Sequence, residues 1–179
     1  MYKKKGISKN SAGLIRNAGI KLVTTEWVGF VDDDDIITPH YISHMKDEIA
    51  MHHDVECIIF RMIYPANEIP ILYMIPPPYD KDIHCAHVGI SFCYKTKLFN
   101  EKMYFIPSDR EDFLLLRRIR ANKNKIIISP FITYLVRPTH LLMNIIVPFF
   151  KHTTSDMNLA KKLISPIIED DGTRIMINF

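Results

Sequence analysis

Four consecutive aspartates, Asp32 to Asp35, are the residues of this sequence best suited to chemistry. They directly follow an apolar run, residues 27–31, that predicts a strand with both faces covered. Carboxylates this close repel one another, and a bound cation relieves that repulsion. Mg²⁺, Mn²⁺ and Ca²⁺ prefer carboxylate oxygen, and sites in open α/β sheets lie at the carboxyl ends of strands. The run therefore predicts a metal site; its alternative is an acidic turn that leads into a helix and complements the helix dipole.

A second acidic pair, Glu111 and Asp112, stands at the start of a predicted helix. Ser108 and Glu111 have the spacing of a capping box, in which each side chain binds a backbone N–H of the other residue. That role is sufficient to explain Glu111. Asp112 either complements the helix dipole or faces a cleft as a general base.

Other reactive residue types give weaker signals. The group His84, Cys85, His87 and Cys93 lacks the paired C-x₂-C element of zinc sites, and alternation across a strand explains its spacing better. The sequence has no Gly-rich phosphate loop, no G-x-S-x-G elbow and no H-E-x-x-H helix. Nucleophilic serine or cysteine catalysis therefore has no support.

The bulk properties fit one globular domain with a substantial core. The chain has 179 residues, 47% of them hydrophobic and 24% charged, and a net charge of +3 gives no support for nucleic-acid binding. Three cysteines cannot all pair within the chain, which favours a reduced, cytoplasmic setting. No secretory signal is expected, and the longest apolar stretch, residues 141–150, is too short to span a bilayer. We expect that stretch to be a buried helix or a surface for a partner or a membrane.

The elements that must position the acidic residues alternate between strand and helix. This alternation predicts an α/β fold with a largely parallel or mixed sheet flanked by helices. The helices are expected after Ser11, from Thr38-Pro39 with Ile42, Met45 and Ile49 inward, and from Ser108 with Phe113, Leu116 and Ile119 on one face. Strands are expected at residues 27–31, 55–64, 87–94 and, broken around Pro130, at 125–136. Residues 65–80 are expected to be irregular, and residues 141–163 to form two helices joined by a polar turn.

Several segments together resemble one known family. Residues 13–20, residues 26–35 and Pro39 are similar in order and spacing to the "ARN-x-G-I … G-E-W-V-x-F-L-D-x-D-D … P" stretch of glycosyltransferase family 2, whose members have the GT-A fold. Residues 88–92 resemble the acceptor-side strand of that family, and residues 110–119 its "E-D-x-x-L-x-x-R" helix. The resemblance covers residues 7–137, so we expect a GT-A-like domain at 1–137. Residues 138–179 would be a helical extension packed on it.

The resemblance implies a role for each residue that falls on a family motif. It implies a metal-dependent transferase that moves a sugar from a nucleotide-diphospho-sugar, UDP being the usual nucleotide, to an acceptor hydroxyl. Mn²⁺ or Mg²⁺ would be held by Asp34 together with Asp32 and Asp35, and His140 is a further candidate ligand. Asp112 would be the catalytic base, with Glu111 orienting substrate beside it. The donor-side residues would be Arg16, Asn17, Asp32 and Asp33, and the acceptor-side residues Gly89, Ile90 and Ser91.

The sequence departs from the family pattern in one respect. The strand, helix and second strand that grip the nucleotide in the family have no counterpart before Arg16. We therefore expect a shortened domain, with three alternatives: a second copy or another chain supplies the missing elements, the sequence is a fragment, or the protein no longer works as an enzyme. A single base with no nearby nucleophile favours inversion at the anomeric carbon. Two other functions stay open: a degenerate domain that only binds, and a metal-dependent phosphohydrolase or nucleotidyl transferase.

Overall fold

A computed structural model describes residues 12–65, 71–77, 82–85, 87–136 and 174–176. In these residues the chain forms four helices and seven strands. In chain order they are α1 (Ala12–Ile20), β1 (Trp27–Gly29), β2 (Ile36–Ile37), α2 (Tyr41–Met51), β3 (Cys57–Pro65), β4 (Ile71–Ile75), β5 (Phe92–Lys95), α3 (Lys97–Asn100), α4 (Glu111–Ala121), β6 (Ile126–Leu135) and β7 (Arg174–Met176).

All these strands belong to one mixed sheet with β3 at its centre. One edge of β3 pairs with β5 and then with β4, and the other edge pairs with β6. Strands β1, β7 and β2 extend the sheet beyond β5, β4 and β6. Among the described pairs only β3 with β6 is parallel, so the expected excess of parallel pairing is wrong although the mixed α/β fold is confirmed. A parallel pair needs a crossover, and α4 lies in the connection that leads to β6.

Strand β6 is continuous, but its pairing is irregular where a break was expected. Ile59 pairs with Ile128, but Arg61 pairs with Ile132, so β6 carries extra residues around Pro130. Proline lacks a backbone N–H, and a bulge is a place in a sheet that tolerates it. The strand continues through the irregularity because its second half pairs with β2 as well as β3.

Apolar clusters cover the two faces of the sheet. The larger one includes Ile20 of α1 together with Leu115, Leu116 and Ile119 of α4. The other contains Tyr41 of α2 and includes Met45 and Ile49 at its margin. Helices α1 and α4 therefore lie on one face and α2 on the other.

Several sequence expectations need correction. Helix α2 begins at Tyr41 after His40, not at Thr38-Pro39, because the Thr38 N–H donates to the Thr133 carbonyl in line with the β2–β6 pairing. Ile42 is 49% exposed and Tyr41 is buried in its place.

The strand expectations near the sheet centre also change. The segment expected to be irregular contains β4, which pairs with β3, and the strand expected from residue 87 begins only at Phe92. A pairing between distant segments decides both outcomes, and local composition does not reveal it.

Some expectations lie outside the described residues: Ser11, His140 and the helices of segment 141–163. Of residues 138–179 the structure describes only β7, which pairs with β4. In the described ranges no helix has both the length and the apolar character needed to cross a membrane.

Candidate functional site

Helix α1 turns a largely polar face toward the rest of the chain. Gly13, Arg16, Asn17 and Ile20 recur at helical spacing and share one side of the helix. Gly13 and Ile20 are buried, and the polar side chains between them make long-range hydrogen bonds. The face of α1 that packs against the protein is therefore the one that carries its functional groups.

Glu111 connects the start of α4 to the start of α1. Its Oε2 accepts a hydrogen bond of 2.9 Å from the Gly13 N–H, and its Oε1 accepts one of 2.7 Å from Arg16 Nη1. A Cβ on residue 13 would lie 2.5 Å from that Oε2, so the close approach requires glycine. The predicted capping box is wrong: Ser108 Oγ accepts from the Arg110 N–H, and Glu111 is used across the fold.

Arg16 is the centre of the acidic site. Its Nη2 lies 2.7 and 2.9 Å from the two carboxylate oxygens of Asp32, and its Nη1 lies 3.4 Å from Asp112 Oδ1. Burial opposes its charge, but the hydrogen bond to Asp32 and the charges of three carboxylates outweigh burial and raise the pKa of Arg16. The guanidinium also lies over the Phe105 ring, 5.4 Å from its centroid. One cation thus joins the turn after β1 to the start of α4.

Asn17 fixes the segment that precedes α4. Its side-chain amide donates to the Phe105 carbonyl and accepts from the Phe105 N–H, both at 2.8 Å. The resemblance implied a donor-binding role, but both ends of this amide are engaged with backbone. Asn17 therefore acts on the site by holding Phe105 against Arg16.

The acidic run forms a tight turn. The Asp35 N–H donates to the Asp32 carbonyl at 3.1 Å, which leaves Asp33 and Asp34 exposed at the tip. The Asp32 N–H donates to the hydroxyl of Tyr134 at 3.0 Å, and burial foremost raises the pKa of that tyrosine. No local pattern predicted this contact, because a tyrosine in a strand such as β6 is typical of a packing residue.

An open cleft of about 320 Å³ lies beside this turn. Its described lining combines carboxylates from the turn and from α4 with apolar residues of the sheet and its loops: Asp32, Asp35, Met62, Ile75, Gly89, Ile90, Asp112 and Val136. Gly89 and Ile90, expected on the acceptor side, lie in this lining. Ser91 is turned away, since its hydroxyl donates to the Phe60 carbonyl at 2.7 Å inside the sheet.

Asp112 lies in the lining of the cleft and has a raised pKa. Burial is the main cause and raises its pKa to about 6; Glu111 and Asp32 add to the rise, and Arg16 opposes it. A base works best with a pKa near the working pH, because it must be ionised yet still bind a proton. The geometry and the pKa of Asp112 both suit proton abstraction in the cleft.

The acidic turn also has the donor chemistry of a divalent-cation site. Among the described residues no group of three or more His, Cys, Asp and Glu side chains is close enough to hold a metal alone. Mg²⁺ at phosphate sites needs only one or two carboxylates, because phosphates and water complete its shell. Asp35 at the cleft and the exposed Asp34 beside it fit that pattern, whereas both oxygens of Asp32 face Arg16.

Comparison with known proteins agrees with this geometry. The sequence profile of glycosyl transferase family 2 matches residues 8–118, which is more than half of the chain. The match includes the Arg16 cluster, which consists of Arg16, Asp32, Glu111 and Asp112. The chain belongs to glycosyl transferase family 2. No curated protein matches it closely by sequence.

Solved structures share the fold of this family 2 chain. A crystal structure of S. aureus TarS 1-349 has a TM-score of 0.52 and 18% identity, over 87% of this chain and 50% of that one. A second S. aureus TarS structure has a TM-score of 0.55 and 18% identity, over 84% of this chain and 29% of that one. The chain thus spans half or less of either structure, and the likeness shows its GT-A-like fold.

Proposed function

We propose that the chain is a metal-dependent glycosyltransferase that moves a sugar from a UDP-sugar to an acceptor hydroxyl with inversion. Family membership supports the transferase class. The observation that carries the proposal is the Arg16 cluster, which brings the acidic turn and Asp112 to one cleft. Sugar transfer needs a base for the acceptor hydroxyl and a group that neutralises the leaving diphosphate, on opposite sides of the anomeric carbon.

Asp112 supplies the base. Its carboxylate takes the proton of the acceptor hydroxyl, and the acceptor oxygen attacks the anomeric carbon. The bond from that carbon to the diphosphate oxygen breaks, and its electron pair leaves with the nucleoside diphosphate. Attack from the face opposite to the leaving group inverts the anomeric centre.

The acidic turn serves the leaving group. Asp34 and Asp35 would hold Mn²⁺ or Mg²⁺, which when bound supplies Lewis-acid neutralisation of the diphosphate charge. Arg16 holds Asp32 by two hydrogen bonds and so fixes the start of the turn. The same guanidinium keeps Glu111 and Asp112 in place, which gives both halves of the site a common support.

The test begins with donor binding. Thermal stability is measured with a panel of nucleotide-sugars, with and without Mn²⁺, for the wild type and Asp34→Ala. A donor at about 100 times its Kd adds roughly 2.7 kcal/mol to the stability of the folded state. We expect a metal-dependent shift for one donor, which Asp34→Ala removes.

The second arm measures transfer by Asp112→Asn. Loss of a general base lowers the rate by about 10²- to 10⁴-fold, while the donor-induced shift should persist. Asp109→Asn is the matched control, since Asp109 is exposed two residues before α4 and outside the cleft lining. Wild-type transfer by Asp112→Asn would remove Asp112 as the base. Donor binding without release of nucleoside diphosphate would favour the binding-only alternative, and release of phosphate without sugar transfer the phosphohydrolase.

A further inference from the structure

One part of the cleft lining, which we call the wall, is apolar in the residues that the structure describes. Apart from three carboxylates, the described lining of the cleft consists of four aliphatic or thioether side chains and a glycine: Met62, Ile75, Ile90, Val136 and Gly89. None of these residues is aromatic, and their side chains offer a buried hydroxyl no partner except the weakly accepting sulfur of Met62. The polar and apolar parts of the cleft therefore differ sharply in what they can bind.

Backbone and packing contacts hold this wall in place. Met62 and Ile75 are direct partners across the β3–β4 ladder, and the Val136 N–H donates to the Ile63 carbonyl at 2.8 Å. A Cβ on Gly89 would lie 2.8 Å from the sulfur of Met62, so the loop and β3 are in close contact. The wall comes from β3, β4, the residue that follows β6 and the loop before β5.

The buried Arg61 adds a further support. It belongs to β3 and donates to the carbonyls of Pro76 and Pro77, directly after Ile75. This contact fixes the chain where β4 leaves the sheet. A ligand in the cleft therefore meets an apolar surface that these backbone contacts support.

We propose that the acceptor is an alcohol with an aliphatic body, whose hydroxyl lies at Asp112 and whose chain lies on this wall. The inference rests on the proposed function and names its acceptor class. A sugar acceptor would turn hydroxyls toward these apolar side chains, and each hydroxyl buried there without a partner weakens binding about five- to a hundredfold. An aliphatic chain gains affinity instead, because each buried methylene leaves water.

The test uses a series of unbranched primary alcohols from 1-butanol to 1-octanol, with glucose as the polar comparison. Transfer is measured as kcat/KM with the donor identified above. Each buried methylene should raise kcat/KM about three- to fourfold until the wall is filled. Equal rates along the series, or a preference for glucose, would overturn the inference.

Two matched valine variants localise the effect. Val136→Thr keeps the size of the side chain and places a hydroxyl in the wall, and we expect the octanol-to-butanol ratio to fall about tenfold. Val31→Thr makes the same change at a 49%-exposed valine outside the lining and should keep the wild-type ratio. Because each ratio is taken within one variant, a change in basal rate cancels. An unchanged octanol-to-butanol ratio in Val136→Thr would show that the alkyl chain of the alcohol does not lie on this wall.

A binding readout separates this inference from the proposed function. Calorimetric titration of 1-octanol and 1-butanol requires no turnover. If no donor is consumed but octanol still binds through Val136, the transferase proposal fails and the apolar site stands. If donor is consumed with water as acceptor but octanol neither binds nor reacts, the acceptor inference fails alone.

Discussion

Replacing Asp112 by asparagine should stabilise the fold at neutral pH while it removes activity. The pKa of Asp112 is raised from its ordinary value of 3.8 to about 6, chiefly by burial. At low pH this carboxyl is protonated in both the folded and the unfolded state. At higher pH it must ionise inside the folded protein, and the buried charge destabilises the folded state. The stability of the wild type should therefore fall as the pH rises from about 4 through about 6 and stay reduced above that.

The magnitude follows from the difference between the two pKa values. One pKa unit corresponds to 1.36 kcal/mol, so the ionised carboxylate costs about 3 kcal/mol, and only 24% of the Asp112 side chain is exposed to screen it. Asparagine has nearly the same shape and no charge. Asp112→Asn should match the wild type at pH 4 and exceed it by about 3 kcal/mol at pH 8. For a chain of this size that is roughly 6–12 °C in Tm.

Urea denaturation at several pH values between 4 and 8 measures the difference directly. Glu111→Gln is the control one residue away. Its amide would turn one N–H₂ group toward the donors of Gly13 or Arg16, so it should lose about 1–3 kcal/mol at pH 8. Two results would refute the burial argument. Asp112→Asn could be no more stable than the wild type at pH 8, or its gain in unfolding free energy over the wild type could be the same at pH 4 as at pH 8.

Three further predictions concern the same cluster. Gly13→Ala should lose about 1–3 kcal/mol of stability, because its Cβ would meet Glu111 and Phe105. A Cβ at Gly19 would have nothing within 4 Å, so Gly19→Ala should be neutral or gain up to about 1 kcal/mol. Thermal melts of the two variants measure the difference. Arg16→Gln leaves the carboxylates uncompensated and should cost about 3–5 kcal/mol by urea denaturation, with Arg16→Lys losing less. The rate of transfer by the wild type should rise with pH through about 6, since Asp112 must be ionised to act as a base. Arg16 lowers the pKa of Asp112, so the pH profile of kcat/KM for Arg16→Gln should be displaced to higher pH.

Local sequence patterns were sufficient for much of the fold. The apolar run before Asp32, the β-branched run of β3 and the apolar face of α4 each predicted their element. The misplacements arose where distant chain segments pair. Strand β4 has a proline-rich flank, and its ladders with β3 and β7 make it a strand.

The motifs assigned roles to residues that the structure brings to one cleft: Asp32, Asp35, Asp112, Gly89 and Ile90. The roles themselves stay predictions. The partners of the site residues could not be inferred, because a local explanation was available for each. The capping-box spacing accounted for Glu111 without reference to α1. Its actual partner Arg16 is 95 residues away in the sequence.

The contacts of Tyr134 were not recognisable in one sequence. A tyrosine in a strand reads as a packing residue. Its hydroxyl accepts a hydrogen bond from the Asp32 N–H only because the fold brings β6 close to the turn that follows β1. Hydrogen bonds of this kind depend on tertiary geometry, which no local pattern encodes.

The cluster around Arg16 also restricts how this protein can evolve. One guanidinium is shared by Asp32, Glu111 and Asp112, so a change at any of these positions alters the charge balance of the other three. Substitutions there should become fixed together or be lost. Leu14 and Ile15, which are 54% and 64% exposed on the outer side of the same helix, carry no such restriction. Neighbouring positions of α1 should therefore drift at very different rates among descendants of this sequence.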